Sequence, residues 1–453
     1  MTIDRLFSVE EARERVFAAI LGPVATENVS LQGGALWRVV SEPAVSAIAL
    51  PPWDNSAMDG YAIRSHDVEE AGESSPVRLE VIGEVRAGHV PGVTVAAVRA
   101  VRIATGAAIP PGADAVVPVE ATTPVSADGA RGSRGRDATG PLPAACLVHL
   151  VVPVGGSVRL AGSDLAAGTT VLRAGTVLTP AALALAAGSG IARVSVHRRP
   201  RVGILATGDE IRVAGQPLGG AGIPDANGPG LAALVQASGV EAYDLGIAAD
   251  RLDDVRDRLR AALTDGLDAI IVSGGVSVGP YDVVRSAFEA FGSIDLWRVA
   301  VQPGKPFAFG TARAPDHDGS GGRAPTLLFG LPGNPVSTFV TFELFVRPAL
   351  RRLAGHREDD LLRSVDRAVL DEPIAKSHGR RAFIRVVADR DEAGTPRRDA
   401  QGRVHVRQAG GSGGQGSHVL SALALADALA VVPEAADTLP AGAAVDLWWL
   451  ERT

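Results

Sequence analysis

Three short glycine-containing loops carry residue types suited to binding phosphates. They are ATGDE (206–210), SGGVSVG (273–279) and GLPGNP (330–335), and each follows an apolar run that predicts a strand. Ligands bind open α/β sheets at the carboxyl ends of the strands, so we expect these loops to meet at one cleft. The candidate ligand-binding residues in the loops are Thr207, Gly208, Ser273, Gly274, Gly275, Ser277, Gly279, Pro332, Gly333 and Pro335.

The SGGVSVG loop directly follows the apolar run AIIV (269–272) and precedes a helical pattern. Its glycines let backbone N–H groups approach a ligand closely, its serines add hydroxyls, and a helix N-terminus favours anions. Glycine-rich turns after strands are common, so this loop alone leaves phosphate binding and a plain turn both open. The GLPGNP loop, with two prolines and two glycines, is predicted to shape a pocket wall rather than to perform acid–base chemistry.

Acidic residues accompany the loops at the same predicted sheet edge. They are Asp209, Glu210, Asp225, Asp250 and Asp282. Each could cap a helix, and Asn227 is itself the predicted N-cap of the helix that follows it. Several carboxylates at one edge repel one another, and a hard cation with oxygen ligands compensates them. We therefore predict a Mg²⁺ site at this edge that bridges acids and a phosphate.

Further candidates lie outside these loops. In QPGKP (302–306), Lys305 stands on a stiff backbone between two prolines, and it is either a point charge for a phosphate or a solvated lysine. In PPWDNSAMDGYAIR (51–64), Asp59 precedes a glycine and is either a turn residue or a functional acid. The segments 103–120 and 161–168 add three more candidates: Thr105, Gly106 and Asp164.

Strand and helix patterns alternate through residues 198–355. The predicted strands are 201–206, 240–247, 268–273, 294–301 and 326–330, and the predicted helices are 227–238, 252–263, 283–291 and 336–353. This rhythm predicts an α/β domain with a mixed, mostly parallel sheet. A surface loop is expected at 315–325.

The flanking segments predict β modules and one helix. Ser8 and Glu11 form a capping box that opens a helix running to about Leu21. Short Val-rich runs with Gly and Pro punctuation predict a β-rich inserted domain over 51–160, and similar runs predict a small β-barrel-like domain over 356–453. Residues 1–50 and 161–197 are assigned to a discontinuous N-terminal linker domain. The chain is predicted to be multidomain.

Composition bounds the class of protein. The formal net charge of −7 and pI near 5.8 argue against nucleic-acid binding, which usually needs a basic face. The lone Cys146 permits no intrachain disulfide and is predicted to be a small buried residue. The uncharged stretch 174–192 contains Pro180 and several glycines, so we interpret it as a turn and a short buried helix rather than a membrane span. A cytoplasmic protein is expected.

Many of these motifs together resemble the MoeA family, which includes the gephyrin E domain. In family order they are DNSAMDGYA (54–62), ATGAAIPPGADAVVPVE (104–120), GSDLAAG (162–168), TGDE (207–210), SGGVSVGPYD (273–282), QPGKPFAFG (302–310), GLPGNPVS (330–337) and QGSH (415–418). The matches extend from about residue 5 to the C-terminus. One such loop is a weak signal, whereas eight in the same order are specific.

The resemblance implies an elongated homodimer whose active cleft is shared between subunits, and it adds a role in dimerisation to residues 1–50 and 161–197. It implies that molybdate is inserted into adenylated molybdopterin, with Mg²⁺-dependent release of AMP, and that a molybdopterin adenylyltransferase is a transient partner. Asp59 and Thr105 match family residues on the partner side of the cleft, and Asp164 matches a family acid important for activity. Glu210, Asp250 and Asp282 match acids of the α/β domain, so the resemblance makes them the expected Mg²⁺ ligands. Pro332 and Pro335 match the proline-rich turn of that domain, and Ser417 matches a serine of the C-terminal domain.

Two departures from the family pattern concern the oxyanion site. Bacterial members often have lysines at the positions of Arg298 and Gln302, so of these cations only Arg298 and Lys305 remain here as candidates to hold molybdate. Arg298 keeps a charge with planar geometry, and Gln302 removes one. Two other functions stay open: the adenylyltransferase step itself, which uses the same α/β fold, and a non-catalytic dimeric scaffold that binds molybdopterin.

Overall fold

The computed structural model describes residues 6–135, 140–275, 283–313, 324–410 and 412–450. The α-helices in these ranges are α1 (Val9–Ala18), α2 (Pro180–Gly188), α3 (Asn227–Ala237), α4 (Leu252–Thr264), α5 (Val283–Glu289), α6 (Pro335–Thr341), α7 (Arg347–Leu353) and α8 (Leu420–Leu425). A π-helical turn, Phe342–Val346, joins α6 to α7, so the predicted helix 336–353 is nearly continuous.

The strands fall into three stretches of the chain. The first contains β1 (Leu6–Phe7), β2 (Thr26–Ser30), β3 (Ala44–Val45), β4 (Asn55–Ser56), β5 (Gly60–Ile63), β6 (Val77–Val85), β7 (Arg99–Ile103), β8 (Ala115–Pro118), β9 (Thr122–Val125), β10 (Ala145–Val148), β11 (Val158–Arg159), β12 (Thr170–Leu172) and β13 (Arg193–His197). The second contains β14 (Arg201–Thr207), β15 (Ile211–Arg212), β16 (Ile223–Pro224), β17 (Glu241–Ala248), β18 (Ala269–Ser273), β19 (Gly292–Val299), β20 (Val301–Gln302), β21 (Pro306–Ala312) and β22 (Thr326–Leu331). The third contains β23 (Val365–Leu370), β24 (Ile374–Ala375), β25 (Arg381–Ala388), β26 (Val404–Gln408), β27 (Ala428–Val432), β28 (Thr438–Leu439) and β29 (Ala444–Trp449).

Helix α1 opens with the predicted capping box. The Ser8 hydroxyl accepts a hydrogen bond from the Glu11 backbone N–H at 3.0 Å, and the Glu11 carboxylate accepts one from the Ser8 backbone N–H at 2.9 Å. The helix ends at Ala18, before the predicted end near Leu21. Ala19 is the C-cap, and Pro23 prevents the helix from resuming beyond Leu21, because proline disfavours helical backbone at Gly22.

The mixed, mostly parallel α/β sheet is confirmed. Its strand order is β1-β19-β21-β22-β18-β14-β17, and only β21 runs antiparallel to its neighbours. Strand β21 is not among the predicted strands. An antiparallel neighbour needs no helical crossover, so the strand–helix rhythm that identifies the parallel strands does not mark it.

Both faces of this sheet are covered by helices. Strand β18 is buried along its whole length, with Ile271 in the core beneath α1, α3 and α6 and Ile270 in the core beneath α4 and α5. Successive strand residues point to opposite faces, so an uninterrupted apolar run is what a doubly covered strand requires. The sheet edge is consequently fixed by two cores, which gives the loops after its strands a rigid base.

The inserted β module has a six-stranded sheet in the order β8-β5-β7-β6-β10-β9. Cys146 lies fully buried in its core, which confirms the structural interpretation of this residue. Strands before the module pair with strands after it, β2 with β13 and β3 with β12. At the two ends of the module itself, β4 pairs with β11. Within the described ranges, no helix has the length and apolar character needed to span a membrane.

The C-terminal segment forms a closed five-stranded barrel, as the β-barrel-like prediction required. Strands β23, β26, β25, β27 and β29 pair in a ring, which closes between β29 and β23. The short strand β20 extends this sheet by pairing in parallel with the start of β25. The barrel is therefore hydrogen-bonded to the segment that links β19 to β21 in the α/β domain.

Candidate functional site

A cleft of about 620 Å³ lies where strands β14, β17, β18 and β22 end. The predicted residues that line it are Thr207, Gly208, Glu210, Asp250, Ser273, Gly274, Gly275, Pro332, Gly333 and Pro335. The structure thus brings together the described parts of the three glycine loops and three of the predicted acids, Glu210, Asp225 and Asp250. Ser277, Gly279 and Asp282 lie outside the described residues.

Close packing between the loops explains a glycine in the middle loop. Gly274 has φ of +101°, and a Cβ atom there would lie 2.5 Å from the Thr207 carbonyl oxygen. Its N–H donates to the Leu331 carbonyl at 3.1 Å. Only glycine tolerates both this backbone angle and this approach. The three loops therefore pack closely against one another at the base of the cleft.

Three acids beside the cleft, Asp209, Glu210 and Asp250, repel one another. The Asp250 backbone N–H donates to Asp209 Oδ1 at 3.1 Å. Burial raises the pKa of the Asp250 carboxyl, and the negative charges of Asp209 and Glu210 add to the rise. A neighbouring cation would relieve this repulsion.

Asp225 and Asn227 act differently from the sequence prediction. Asp225 Oδ1 accepts the backbone N–H groups of Asn227 at 3.0 Å and Gly228 at 2.9 Å, so Asp225 stabilises the start of α3. The prediction that Asn227 is the N-cap is wrong, because α3 already includes Asn227. Its side-chain amide instead donates to Ser273 Oγ at 2.8 Å and to the Gly333 carbonyl at 2.7 Å. This bridging role was missed because both partners are distant in sequence.

Glu210 and Asp250 fit a Mg²⁺ ion held partly by substrate. Mg²⁺ usually takes one or two protein carboxylates together with phosphate and water oxygens. Burial raises the pKa of Asp250, and the neighbouring Asp209 and Glu210 charges, which add to the rise, would be compensated by a cation. The described residues contain no group of three or more side chains of the metal-binding types that could hold an ion. The ligand set of Glu210, Asp250 and Asp282 stays a prediction.

The predicted oxyanion residues lie beside the cleft. Lys305 precedes Pro306, which lines the cleft, and its ammonium has no hydrogen-bond or ion-pair partner among the described residues. Arg298 lies opposite Pro306 in the pairing of β19 with β21 and does not line the cleft. Gln302 Oε1 accepts the Ser377 backbone N–H at 3.0 Å, so this side chain is bonded to the C-terminal segment. A lysine has no acceptor with which to make that bond.

The C-terminal QGSH loop lies over the end of the cleft. The Asn334 side-chain amide donates to Ser417 Oγ at 3.1 Å, and the Val336 N–H donates to the Ser417 carbonyl at 3.2 Å. His418 and Leu420 line the cleft, although neither is among the predicted residues. The barrel domain thereby contributes one wall of the site.

Arg385 supports this loop from within the C-terminal domain. It is completely buried in β25, and its Nη2 donates to the carbonyls of Gly414 at 2.5 Å and Gly416 at 3.2 Å. Burial lowers its pKa to about 10, and its Nε and Nη1 atoms have no partner among the described residues. Arg385 does not line the cleft, so its role is to hold the loop that does. The sequence alone predicts Arg385 only as a residue of a strand.

The candidates in the β module form a separate group. Asp59 Oδ1 accepts hydrogen bonds from Thr105 N at 2.7 Å and Thr105 Oγ1 at 2.9 Å, and both residues are exposed. The neighbouring Gly106 adopts φ of +78°. Asp164 is exposed on another loop, where its N–H donates to the Leu50 carbonyl at 3.0 Å. None of these four residues lines the cleft within one chain.

Comparison with known proteins places these features in one family. Residues 7–190 match a model described as "MoeA N-terminal region (domain I and II)", residues 203–352 match "Probable molybdopterin binding domain", and residues 367–450 match "MoeA C-terminal region (domain IV)". Molybdopterin molybdenumtransferase 2 of Mycobacterium tuberculosis is 36% identical over 97% of this chain and 99% of its own length. Molybdopterin molybdenumtransferase of Haemophilus influenzae is 33% identical over 98% of each chain.

A solved structure extends the likeness to the whole fold. The molybdopterin biosynthesis MoeA protein from Pyrococcus horikoshii superimposes with a TM-score of 0.75 and 27% identity, covering 99% of this chain and 100% of that one. Sequence relatives and structural relatives therefore agree over nearly the full length. The chain belongs to the MoeA family of enzymes, the molybdopterin molybdenumtransferases.

Proposed function

We propose that this protein inserts molybdenum from molybdate into adenylated molybdopterin and releases AMP in a Mg²⁺-dependent step. The observation that carries the proposal is the convergence of glycine loops and the Glu210 and Asp250 carboxylates on one cleft. Its volume of about 620 Å³ suits a ligand of this size class, since small-molecule pockets span roughly 300–1,000 Å³. The names of the family relatives support the choice of molybdopterin and molybdenum.

In this proposal the loops bind the phosphates and the carboxylates bind the metal ion. Backbone N–H groups of the glycine loops and the Ser273 hydroxyl would hold the phosphates. Glu210 and Asp250 would hold Mg²⁺, with Asp282 as a further predicted ligand. When bound, the ion supplies charge neutralisation at the phosphoanhydride. The pKa of Asp250 is raised by burial and by its acidic neighbours, and a bound cation would stabilise the ionised carboxylate.

Lys305 lies beside the cleft and suits the oxoanion, because its ammonium has no partner among the described residues. A lysine ammonium binds phosphates and similar oxoanions as a point charge. Arg298, which does not line the cleft, stays a predicted contributor.

The direct experiment measures AMP release from adenylated molybdopterin with molybdate and Mg²⁺. We expect release that requires the metal and falls at least tenfold in Asp250→Asn, because a charge that holds the cation is lost. Metal-independent release, or an unchanged rate in Asp250→Asn, would contradict the proposal. Consumption of ATP with free molybdopterin would indicate the adenylyltransferase step, and ligand binding without turnover would indicate a scaffold.

A homodimer with a shared cleft is part of the proposal. The Asp59–Thr105 pair does not line the cleft of its own chain, so a second copy would have to bring it there. Exposed Trp37, Trp53 and Leu160 offer apolar area for such a contact. Mixing Asp59→Asn with Asp250→Asn subunits tests the arrangement. Random exchange makes half the dimers mixed with one intact site each, so about a quarter of wild-type activity should return. No recovery after verified exchange would refute the shared site.

Two further expectations follow from the proposed substrate. Adenylated molybdopterin is the product of an adenylyltransferase, so a transient contact with that class of enzyme is proposed. Both enzymes would then share a cytoplasmic location. Cross-linking in cell extract tests the contact, and fractionation tests the location.

A further inference from the structure

Asn227 links two of the cleft loops, although no motif marks it as functional. We propose that its side-chain amide is a positioning group, which sets the spacing of the Ser273 and Gly333 loops and turns the Ser273 hydroxyl toward a phosphate. The identity of that phosphate as part of adenylated molybdopterin rests on the proposed function. The positioning itself rests on the geometry below.

The orientation of the Asn227 amide is fixed by its partners. Nδ2 donates to the Gly333 carbonyl at 2.7 Å and to Ser273 Oγ at 2.8 Å. A carbonyl oxygen can only accept, so the NH₂ end of the amide must face Gly333. Both amide hydrogens are therefore used to join two loops, which lie 46 and 106 residues further along the chain.

The anchor of this bridge is rigid. Asn227 is the first residue of α3, and its backbone N–H is held by Asp225 Oδ1 at 3.0 Å. Helix α3 packs into the main core through the fully buried Leu231 and Val235. The side chain therefore transmits the position of a core helix to the two loops.

The bond to Ser273 has a chemical consequence. A serine hydroxyl offers one hydrogen and two acceptor lone pairs. Ser273 Oγ accepts a hydrogen bond from the Asn227 amide. The hydroxyl hydrogen of Ser273 has no acceptor among the described residues. The side chain is almost fully buried and lines the cleft, so this hydrogen is available to an anionic ligand there. Asn227 thus makes Ser273 a donor.

Affinity for adenylated molybdopterin provides the first test. We expect Asn227→Ala to weaken binding about tenfold, because the Ser273 hydroxyl would no longer be held as a donor to the charged phosphate. Because Asn227 acts through Ser273, adding Ser273→Ala should weaken binding little further. The effect should appear in KM, with kcat changed less. Additive losses in the double variant would overturn the inference.

Amide hydrogen exchange of the ligand-free protein provides a second test, which does not depend on the proposed function. Asn227→Ala should speed exchange in the loops around Ser273 and Gly333. Asn227→Asp, which keeps the size but lacks the donors, should do the same without loss of fold. The matched control is Asn28→Ala, whose amide oxygen binds Arg193 on an exposed strand pair. Unchanged loop exchange in both Asn227 variants would overturn the inference even if the protein releases AMP normally.

Discussion

A buried ion pair between the α/β domain and the barrel domain should be a strong determinant of stability. Glu343, in the π-helical turn, has a side chain 1% exposed and accepts Arg363 Nε at 2.7 Å and Nη2 at 3.0 Å. Arg347 lies 3.9 Å away with its side chain 8% exposed. Arg363 also donates to the Trp449 carbonyl at 3.1 Å, at the end of the barrel. This group therefore joins the two domains.

Removing the carboxylate should cost much more than removing a surface partner. Glu343→Ala leaves two largely buried guanidinium groups without their counter-charge, and breaking a buried pair in this way costs about 3–5 kcal/mol. A loss of about 1 kcal/mol lowers the melting temperature of a domain of roughly 150–250 residues by roughly 2–4 °C. The melting temperature of the transition that includes the barrel should therefore fall by about 6–20 °C. The exposed Asp257–Arg260 pair is the control, and Asp257→Ala should cost under about 1 kcal/mol.

Calorimetry and urea unfolding measure the effect, with near-ultraviolet circular dichroism to follow the barrel. A multidomain chain need not unfold in one step, so the transition involving the barrel must be resolved. Glu343→Met with Arg363→Met should recover much of the loss, because an apolar pair avoids the unpaired charge. A Glu343→Ala protein within about 1 kcal/mol of wild type would refute the reasoning.

Three further predictions concern the cleft. Burial and neighbouring carboxylates raise the pKa of Asp250. Protonation of Asp250 should therefore lower the affinity for Mg²⁺ at a pH above the usual aspartate pKa, because the protonated carboxyl no longer attracts the cation. Titration calorimetry at several pH values measures this. Affinity that stays flat well below pH 4 would contradict it, since free aspartate has a pKa of about 3.9. Gly274→Ala should reduce ligand affinity at least tenfold, because its Cβ would meet the Thr207 carbonyl at 2.5 Å. A folded variant with normal affinity would show that the loop can shift. Gln302→Lys should lower the KM for molybdate severalfold, since it adds a cation, and should cost about 1 kcal/mol through the lost bond to Ser377. An unchanged KM would place residue 302 outside the oxyanion site.

Local patterns predicted much of the fold. The Ser8 and Glu11 capping box, the apolar run of β18 and the strand–helix alternation of the α/β domain all depend on neighbouring residues, and all are confirmed. The antiparallel β21 and the early end of α1 were missed. Pairing with β19 and β22 defines β21, and that pairing is not a local property.

The glycine loops follow from sequence alone, because a glycine-rich turn after an apolar strand must emerge at the carboxyl edge of the sheet. Their meeting in one cleft with Glu210 and Asp250 could also be anticipated from parallel topology. Tertiary structure decided which polar groups are already engaged. It makes Asn227 a bridge and Arg385 a buried cation, because their hydrogen-bond partners lie far away in the chain.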